Sequence, residues 1–309
     1  MMPLYSTERG SLFLGDSFEL LNEDYFKNFR NKINLIFTSP PFPLIEKKAY
    51  GNLNGQEYLQ WLSKFAPLFG DLLAPDGSLV IEIGNAWEHN SPTMSLLPLE
   101  SLLAIKKGGN FYLCQEFIWN NTSKLPTPAQ WVNIERIRVK DSFTRLWWLS
   151  PTPRPKSNNR NVLKEYSSSM RNLLQKGKYN SGRRPSQHNI TEKSFLTNNN
   201  GAIPSNVISL PNTSSNDGYL DYCRKNKIKV HPARMPLKLA EFFIKFLTDK
   251  NDLVLDPFAG SNVTGFVAEK NNRNWISIEK DNDYALSSKS RFNFCLLPEV
   301  EKSDIKDGK

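Results

Sequence analysis

Two hydrophobic rhythms alternate along this chain. "INLIF", residues 33–37, is a short apolar run with the length and composition of a buried β-strand. After it Tyr58, Leu62, Phe65, Phe69, Leu72 and Leu73 recur at helical spacing. Pro67 falls inside that stretch; a proline has no N–H to donate, so it predicts a kinked or divided helix. "PDG" at 75–77 is a turn into a second buried strand, "SLVIEI", and "NFYLCQEFIW" and "TRLWWLS" supply two more. Further on, "HPARMPLKLAEFFIKFLT" predicts a helix that Pro236 can open, with Ala240, Phe243, Ile244 and Leu247 as its apolar stripe. "DLVLDPFAGSNVTGFVAEKNNRNWISIEKD" then reads as strand, glycine-containing loop, helix, and a strand that ends in an acid. Strands separated by helices predict an α/β fold with a mainly parallel sheet. No internal repeat interrupts the pattern, and the last residues, "EKSDIKDGK", are polar enough to fray.

The 309 residues, 39% of them apolar, suffice for one large domain carrying an insertion. No stretch approaches the length of a membrane span, and the start lacks a basic segment followed by an apolar one, so a soluble, non-exported protein is expected. Cys114, Cys223 and Cys295 are odd in number, far apart and without histidines at ligand spacing. Neither a disulfide frame nor a metal site is expected. Cys114, within "FYLCQEF", reads as a core residue, and Trp147 and Trp148 as packing under the sheet.

The formal charge of +9 favours a polyanionic partner, and its location sharpens that reading. Ten Lys and Arg fall between Pro151 and Asn200 against Glu165 and Glu192, in a stretch rich in Ser and Asn. This has the composition of a DNA-facing insertion. Arg154, Arg160, Arg183 and Arg184 are the candidate DNA contacts; His188, in "RRPSQHNI", is either a base-edge contact or a solvated loop histidine.

Two constellations carry chemistry. In "DLVLDPFAGSNVTG", Asp256 ends a strand and a tight turn containing Gly260 leads into a helix, where backbone N–H groups can approach a ligand. Glu279 ends the following strand, where a carboxylate can take both hydroxyls of a ribose. The pair fits an adenosine-containing cofactor. Asn262 and Val263 follow Ser261, which breaks the dinucleotide glycine pattern and counts against NAD; a purely structural turn is the alternative. The other constellation is "TSPPF" at 38–42, a strand end stiffened by two prolines and closed by an aromatic ring.

Together these residues resemble the amino-methyltransferases of DNA, a family marked by a D/N/S-P-P-Y/F/W motif and a glycine turn that binds S-adenosylmethionine. The serine form is similar to the branch that methylates N4 of cytosine. The motif order, catalytic first and cofactor turn last with a basic insertion between, is similar to the permuted β group. "KLPTPAQWVNIERIRVKD", "RRPSQHNI", "HPARMPLKLAEFF" and "GSNVTG" extend the resemblance to the PvuII-type modification enzymes over nearly the whole chain. The resemblance implies a three-layer Rossmann-like methyltransferase fold. It divides the chain into a catalytic half at 1–150, a target-recognition insertion at 151–222, a cofactor half at 223–298 and a polar tail at 299–309. Ser39, Pro40, Pro41 and Phe42 would be catalytic. Asp256, Pro257, Phe258, Gly260, Ser261, Asn262 and Glu279 would hold the cofactor, with Asp16 of "LGDS" and with His231, Pro232 and Arg234 at its amino-acid end. Asn262 stands where the wider family has glycine. The implied partners are double-stranded DNA and, without stable binding, a restriction endonuclease, for a monomer in a prokaryotic cytoplasm. A palindrome such as CAGCTG is implied by resemblance alone. N6-adenine methylation is the alternative chemistry, and a non-catalytic DNA-binding regulator the alternative class.

Overall fold

The computed structural model describes residues 2–42, 55–192, 194–212 and 218–292; the polar tail at 299–309 and Cys295 lie outside them. The chain forms two compact units, one made of the residues up to Ser157 together with those from Asn206 onward, the other of Asn158–Ser205.

In the larger unit the elements follow in the order β1 (Tyr5–Ser6), β2 (Gly10–Leu14), α1 (Ser17–Asn22), α2 (Asp24–Lys27), β3 (Ile33–Thr38), α3 (Gly55–Ser63), α4 (Phe65–Leu72), β4 (Leu73–Ile83), α5 (Leu97–Gly108), β5 (Tyr112–Asn120) and β6 (Phe143–Ser150). The smaller unit contributes α6 (Ser168–Lys176), β7 (Gly182–Arg183) and β8 (Asn189–Ile190). The larger unit resumes with β9 (Val207–Ser209), α7 (Gly218–Asn226), α8 (Leu237–Leu247), β10 (Leu253–Asp256), α9 (Val263–Lys270), β11 (Asn274–Glu279) and α10 (Asn282–Ser288). The proline-divided helix is observed: α3 ends at Ser63 and α4 carries Pro67 in its first turn, where a missing N–H costs nothing.

Nine strands of the larger unit pair in the order β1-β2-β11-β10-β3-β4-β6-β5-β9 among the described residues. The central run from β2 through β4 is parallel, and β5 and β6 close one side as an antiparallel hairpin. Side-chain alternation divides the core between the two faces. Ile36, Ile81, Trp147 and Leu255 pack on the face of α1, α3, α4 and α5, while Phe37, Val80, Trp148 and Val254 pack on the face of α8, α9 and α10. Trp147 and Trp148, neighbours in sequence, are thus buried on opposite faces. The layers are helix, sheet, helix. The expected fully buried strand around Cys114 is instead half solvated: Tyr112, Leu113, Gln115 and Glu116 are exposed, and Cys114 only borders the second core cluster. A register shift between Leu113 and Gln115 re-aims the side chains there.

Topology sets where chemistry can occur. From β3 the chain winds outward to β4 on one side, and from β10 outward to β11 on the other, so β3 and β10 meet at the point where the strand order reverses. A crevice opens at the carboxyl ends of parallel strands at such a point. Leu255 pairs with Ile36 across it, which brings the strand end before Ser39 beside the strand end at Asp256.

The smaller unit is narrower than the insertion expected at 151–222, and the reason is visible at both ends. Lys156 is bound to Asp252 at 2.9 Å and fixes 151–157 to the larger unit. Val207–Ser209 adds a strand to the main sheet beside β5, and the Tyr219 hydroxyl is bonded to Ser287 at 3.2 Å. Within the smaller unit Lys164 and Ala202 form a bridge, β7 and β8 a hairpin, and the Tyr179 and Phe195 rings lie 5.1 Å apart.

Candidate active site

A cavity of about 700 Å³ opens at the carboxyl ends of β2, β11, β10, β3 and β4, and both sequence motifs line it. The catalytic side begins with Ser39, immediately after β3, followed by Pro40, Pro41 and Phe42. Gly84, just past β4, makes room for the aromatic ring, since a Cβ there would lie 2.9 Å from it. Asn121, Lys124, Phe143 and Thr144, from the β5–β6 end, line it as well.

Glu82, on β4, is a functional residue that the sequence motifs do not reveal. Its carboxylate lines the cavity, receives the Ser39 hydroxyl as a donor and accepts a second hydrogen bond from Thr144 Oγ1 at 3.1 Å. Burial pushes its pKa up to about 7, against the opposing effect of those two hydroxyls and of Lys124. Within "SLVIEI" it reads as one polar position in an apolar strand; only the pairing of β3 with β4 brings it to Ser39.

Asp256 lines the cavity at the end of β10, as its motif suggests, and also has a structural role. It is fully buried and accepts Thr38 Oγ1 at 2.7 Å, Thr264 Oγ1 at 2.6 Å and the Phe258 N–H at 3.1 Å. Its oxygens therefore tie the residue before Ser39 to the cofactor turn and to the first turn of α9. Burial raises its pKa to about 6 against those three donors. Thr38, inside "TSPPF" but not singled out there as a site residue, joins Glu82 as a second functional residue.

The turn from Pro257 to Ser261 borders the cavity. Gly260 has φ +52, and a Cβ on it would lie 2.9 Å from His231 Nε2, so both backbone and space require glycine. Its N–H donates to Glu279 Oε2 at 2.6 Å, and the Asp281 N–H donates to Oε1 at 2.8 Å. Burial raises the Glu279 pKa in spite of those donors. Phe258 packs its ring 5.5 Å from Trp61 and 5.2 Å from Phe65. His231 and Arg234 line the same end, and burial lowers the His231 pKa to about 4, which keeps the ring neutral. Tyr58 lines the cavity with a buried hydroxyl that has no hydrogen-bond partner among the described residues.

Two expected cofactor residues lie outside the cavity lining, and a third lines it with its oxygens already engaged. Asn262 is fully buried and outside the cavity lining: its amide donates to Tyr5 Oη at 2.9 Å, and its carbonyl accepts Ser277 Oγ at 2.7 Å and the Gly265 N–H at 3.1 Å. It caps α9 at φ +51, a conformation asparagine tolerates better than other non-glycine residues. Pro232 is exposed and outside the lining. Asp16 does line the cavity, but one oxygen caps α1 through the Phe18 and Glu19 N–H groups and the other pairs with Lys280 at 3.0 Å. Partial burial works to raise the Asp16 pKa, and Lys280 with the two N–H donors outweighs it, for a net lowering.

The candidate DNA residues lie in both units. Arg154, in the larger unit, and Arg160, Arg183 and His188, in the smaller, are exposed. Arg184 is half-buried: its guanidinium donates to Asn180 O at 2.7 Å and lies 5.9 Å from the centre of the Tyr179 ring. It holds the β7–β8 hairpin from inside, unlike its neighbour. No helix among the described residues is long and apolar enough to cross a membrane.

The donor set fits S-adenosylmethionine: a glycine cradle, a half-buried carboxylate at the second strand end and an unpaired hydroxyl on the cavity wall suit an adenosine with a charged amino-acid tail. Comparison with known proteins agrees. A family model described as DNA methylase matches residues 33–290. The Type II methyltransferase M.PvuII of Proteus hauseri is 44% identical over 306 residues, covering 98% of this chain and 89% of that one. The solved PvuII DNA methyltransferase, titled cytosine-N4-specific, superposes with a TM-score of 0.75 at 40% identity over 94% of this chain and 88% of that one. M1.HpyAVI, solved as a complex with SAM, shares the fold at TM-score 0.52 and 23% identity, covering 92% and 99% of the two chains. The chain belongs to the DNA methylase family that joins N6 and N4 amino-methyltransferases.

Proposed function

We propose that this protein methylates the exocyclic N4 of a cytosine extruded from duplex DNA, with S-adenosylmethionine as donor, as the modification enzyme of a restriction-modification system. The observation that carries the reading is that Ser39–Phe42 and the Gly260 turn line one cavity, with the buried Glu82 beside Ser39. When bound, S-adenosylmethionine supplies an electrophilic methyl group. Glu279 is positioned to hold the ribose hydroxyls, and Phe258 to contact the adenine.

A cytosine amino group is a poor nucleophile because its lone pair is delocalised into the ring. Ser39 donates its hydroxyl proton to Glu82, which leaves the Oγ lone pairs to accept one N4–H, while the Pro40 carbonyl accepts the other. Two acceptors out of the ring plane draw N4 towards tetrahedral geometry and free its lone pair. As the methyl group leaves sulfur for N4, one N4 proton passes to Ser39 Oγ and the Ser39 proton to Glu82. The prolines hold the acceptors in place, so little reorganisation remains. Phe42 stacks on the base, contributing about 1–3 kcal/mol towards an extrusion cost of a few kcal/mol.

The basic 158–205 unit is assigned to target recognition, with Arg183 and Arg160 as its DNA contacts. A monomer in the bacterial cytoplasm, paired functionally with an endonuclease it does not stably bind, is the setting consistent with this reading. The decisive test is to incubate the protein with plasmid DNA and labelled S-adenosylmethionine, digest to nucleosides and identify the labelled one. N4-methylcytosine is expected; recovery of N6-methyladenine or 5-methylcytosine alone overturns the assignment.

A further inference from the structure

The segment between β5 and β6, residues 121–142, is a built projection with an unusual surface. Its two legs are tied by the Asn121 N–H to Ser142 O at 2.8 Å and the Asp141 N–H to Thr127 O at 2.9 Å. A five-residue helical turn, Gln130–Ile134, forms its tip, and Asn133 Nδ2 donates back to Pro126 O at 3.1 Å. Arg138 Nε donates to Pro92 O at 2.9 Å and anchors the projection to the loop after β4. Despite this order, Leu125, Ile134 and Val139 are 77%, 69% and 87% exposed. Apolar side chains so exposed on an internally bonded loop serve no core.

Two further observations name the occupant. Lys124, Arg136, Arg138 and Lys140 share the segment with these apolar groups, against Glu135, which accepts Gln130 Nε2, and Asp141, which pairs with Lys124 at 3.9 Å and accepts Asn85 Nδ2. The base of the projection is also the wall of the catalytic cavity: Asn121, Lys124 and Ser142 line it. A segment that carries both cationic and exposed apolar side chains and is continuous with the pocket for one base matches duplex DNA at the step where that base has left the stack. Proteins that open a base step insert apolar side chains into the stack and hold the flanking phosphates with Lys and Arg.

We infer that the 121–142 projection is a wedge that enters the duplex beside the target cytosine, with Leu125, Ile134 and Val139 filling the space the extruded base leaves. This rests on the proposed reaction. It assigns a role in extrusion to residues that touch neither cofactor nor the reacting nitrogen.

The test uses the full chain carrying Leu125→Ala, Ile134→Ala and Val139→Ala together, changes at exposed positions that leave the unfolding temperature at the parental value. The parent is first checked for N4-methylcytosine; absence of product there refutes the proposed reaction and not the wedge. Single-turnover methylation is then compared on a normal duplex and on one whose target cytosine faces an abasic site and needs little unpairing. The triple variant is expected to be slower than the parent by about tenfold or more on the normal duplex, and near the parental rate on the abasic one. With 2-aminopurine in place of the target cytosine, the fluorescence rise on binding should shrink in step. Equal loss on both duplexes, or no loss on either, overturns the wedge. A parental dimer that the triple variant converts to a monomer, seen by light scattering, also overturns it in favour of a contact between copies.

Discussion

A carboxyl group that is buried at the end of β4 and bonded by Ser39 meets two competing demands, because the reaction needs its ionised form and burial favours its neutral one. With a pKa of about 7, Glu82 should make methylation rise with pH through that value, and Glu82→Gln should lower the rate by about 10²–10⁴-fold and remove the pH dependence. Stability moves the other way. The folded pKa lies above the unfolded value of 4.5, so the group's favourable contribution is complete below pH 4.5 and is lost as pH rises through about 7. Denaturant unfolding should therefore show Glu82→Gln gaining on the parent between pH 4.5 and pH 8, by roughly 3 kcal/mol. A constant difference across that range would place Glu82 in contact with solvent. The neighbouring Gly84 gives an independent check: a methyl group there meets the Phe42 ring, so Gly84→Ala should slow turnover while cofactor affinity, read by calorimetry, stays unchanged. Ser39, Phe42, Gly260 and Glu279 are legible in the sequence because each sits in a short local pattern. Glu82 and Thr38 are not, because their roles come from neighbours that only the sheet supplies.

At the scale of elements, the site depends on one joint between β3, β10 and α9. Asp256 accepts hydroxyls from the strand that delivers Ser39 and from the helix that follows the cofactor turn. Asp256→Ala should leave two buried hydroxyls and the Phe258 N–H without acceptors, at about 1–3 kcal/mol per unsatisfied group. Urea unfolding should register the loss, and kcat and the KM for S-adenosylmethionine should worsen together, whereas a residue that only contacted cofactor would move KM alone. Gly260→Ala tests the turn itself. The left-handed backbone costs a residue with a Cβ about 1–2 kcal/mol, and the methyl group presses on His231, so cofactor affinity should fall while DNA binding is retained. The major strands and the Pro67 break are readable because period and proline chemistry are local. The two-residue β1 and the three-residue β9 are not, since strands so short carry little periodic signal, and β5 is readable as a strand while its half-solvated face is not.

For the whole molecule, the distribution of charge is plain from the order of residues, while the boundary of the unit that carries it depends on contacts between distant segments. Residues 151–157 and 206–222 share the polar composition of the insertion, and contacts such as Lys156 with Asp252, the pairing of β9 with β5 and Tyr219 with Ser287 assign them to the larger unit. The 158–205 unit holds eight Lys and Arg against Glu165 and Glu192, most of the chain's net +9. Its salt response should therefore resolve two arginines that look equivalent in "SGRRPSQHN". Arg183 is exposed, so Arg183→Ala should remove one contact to DNA. A lost phosphate contact weakens cognate and scrambled duplexes alike and lowers the slope of log affinity against log salt by about one unit, whereas a lost bidentate base contact relaxes specificity by about 1–3 kcal/mol at one base pair. Arg184 is held by Asn180 O and the Tyr179 ring, so Arg184→Ala should chiefly loosen the β7–β8 hairpin, seen as faster amide exchange at the His188 carbonyl's partner, the residue 184 N–H. Binding isotherms of both variants on both duplexes over a salt series, with hydrogen exchange on the free proteins, separate these outcomes. If Arg183→Ala matches the parent at every salt concentration on both duplexes, this hairpin does not read DNA and recognition belongs to other basic residues of the unit.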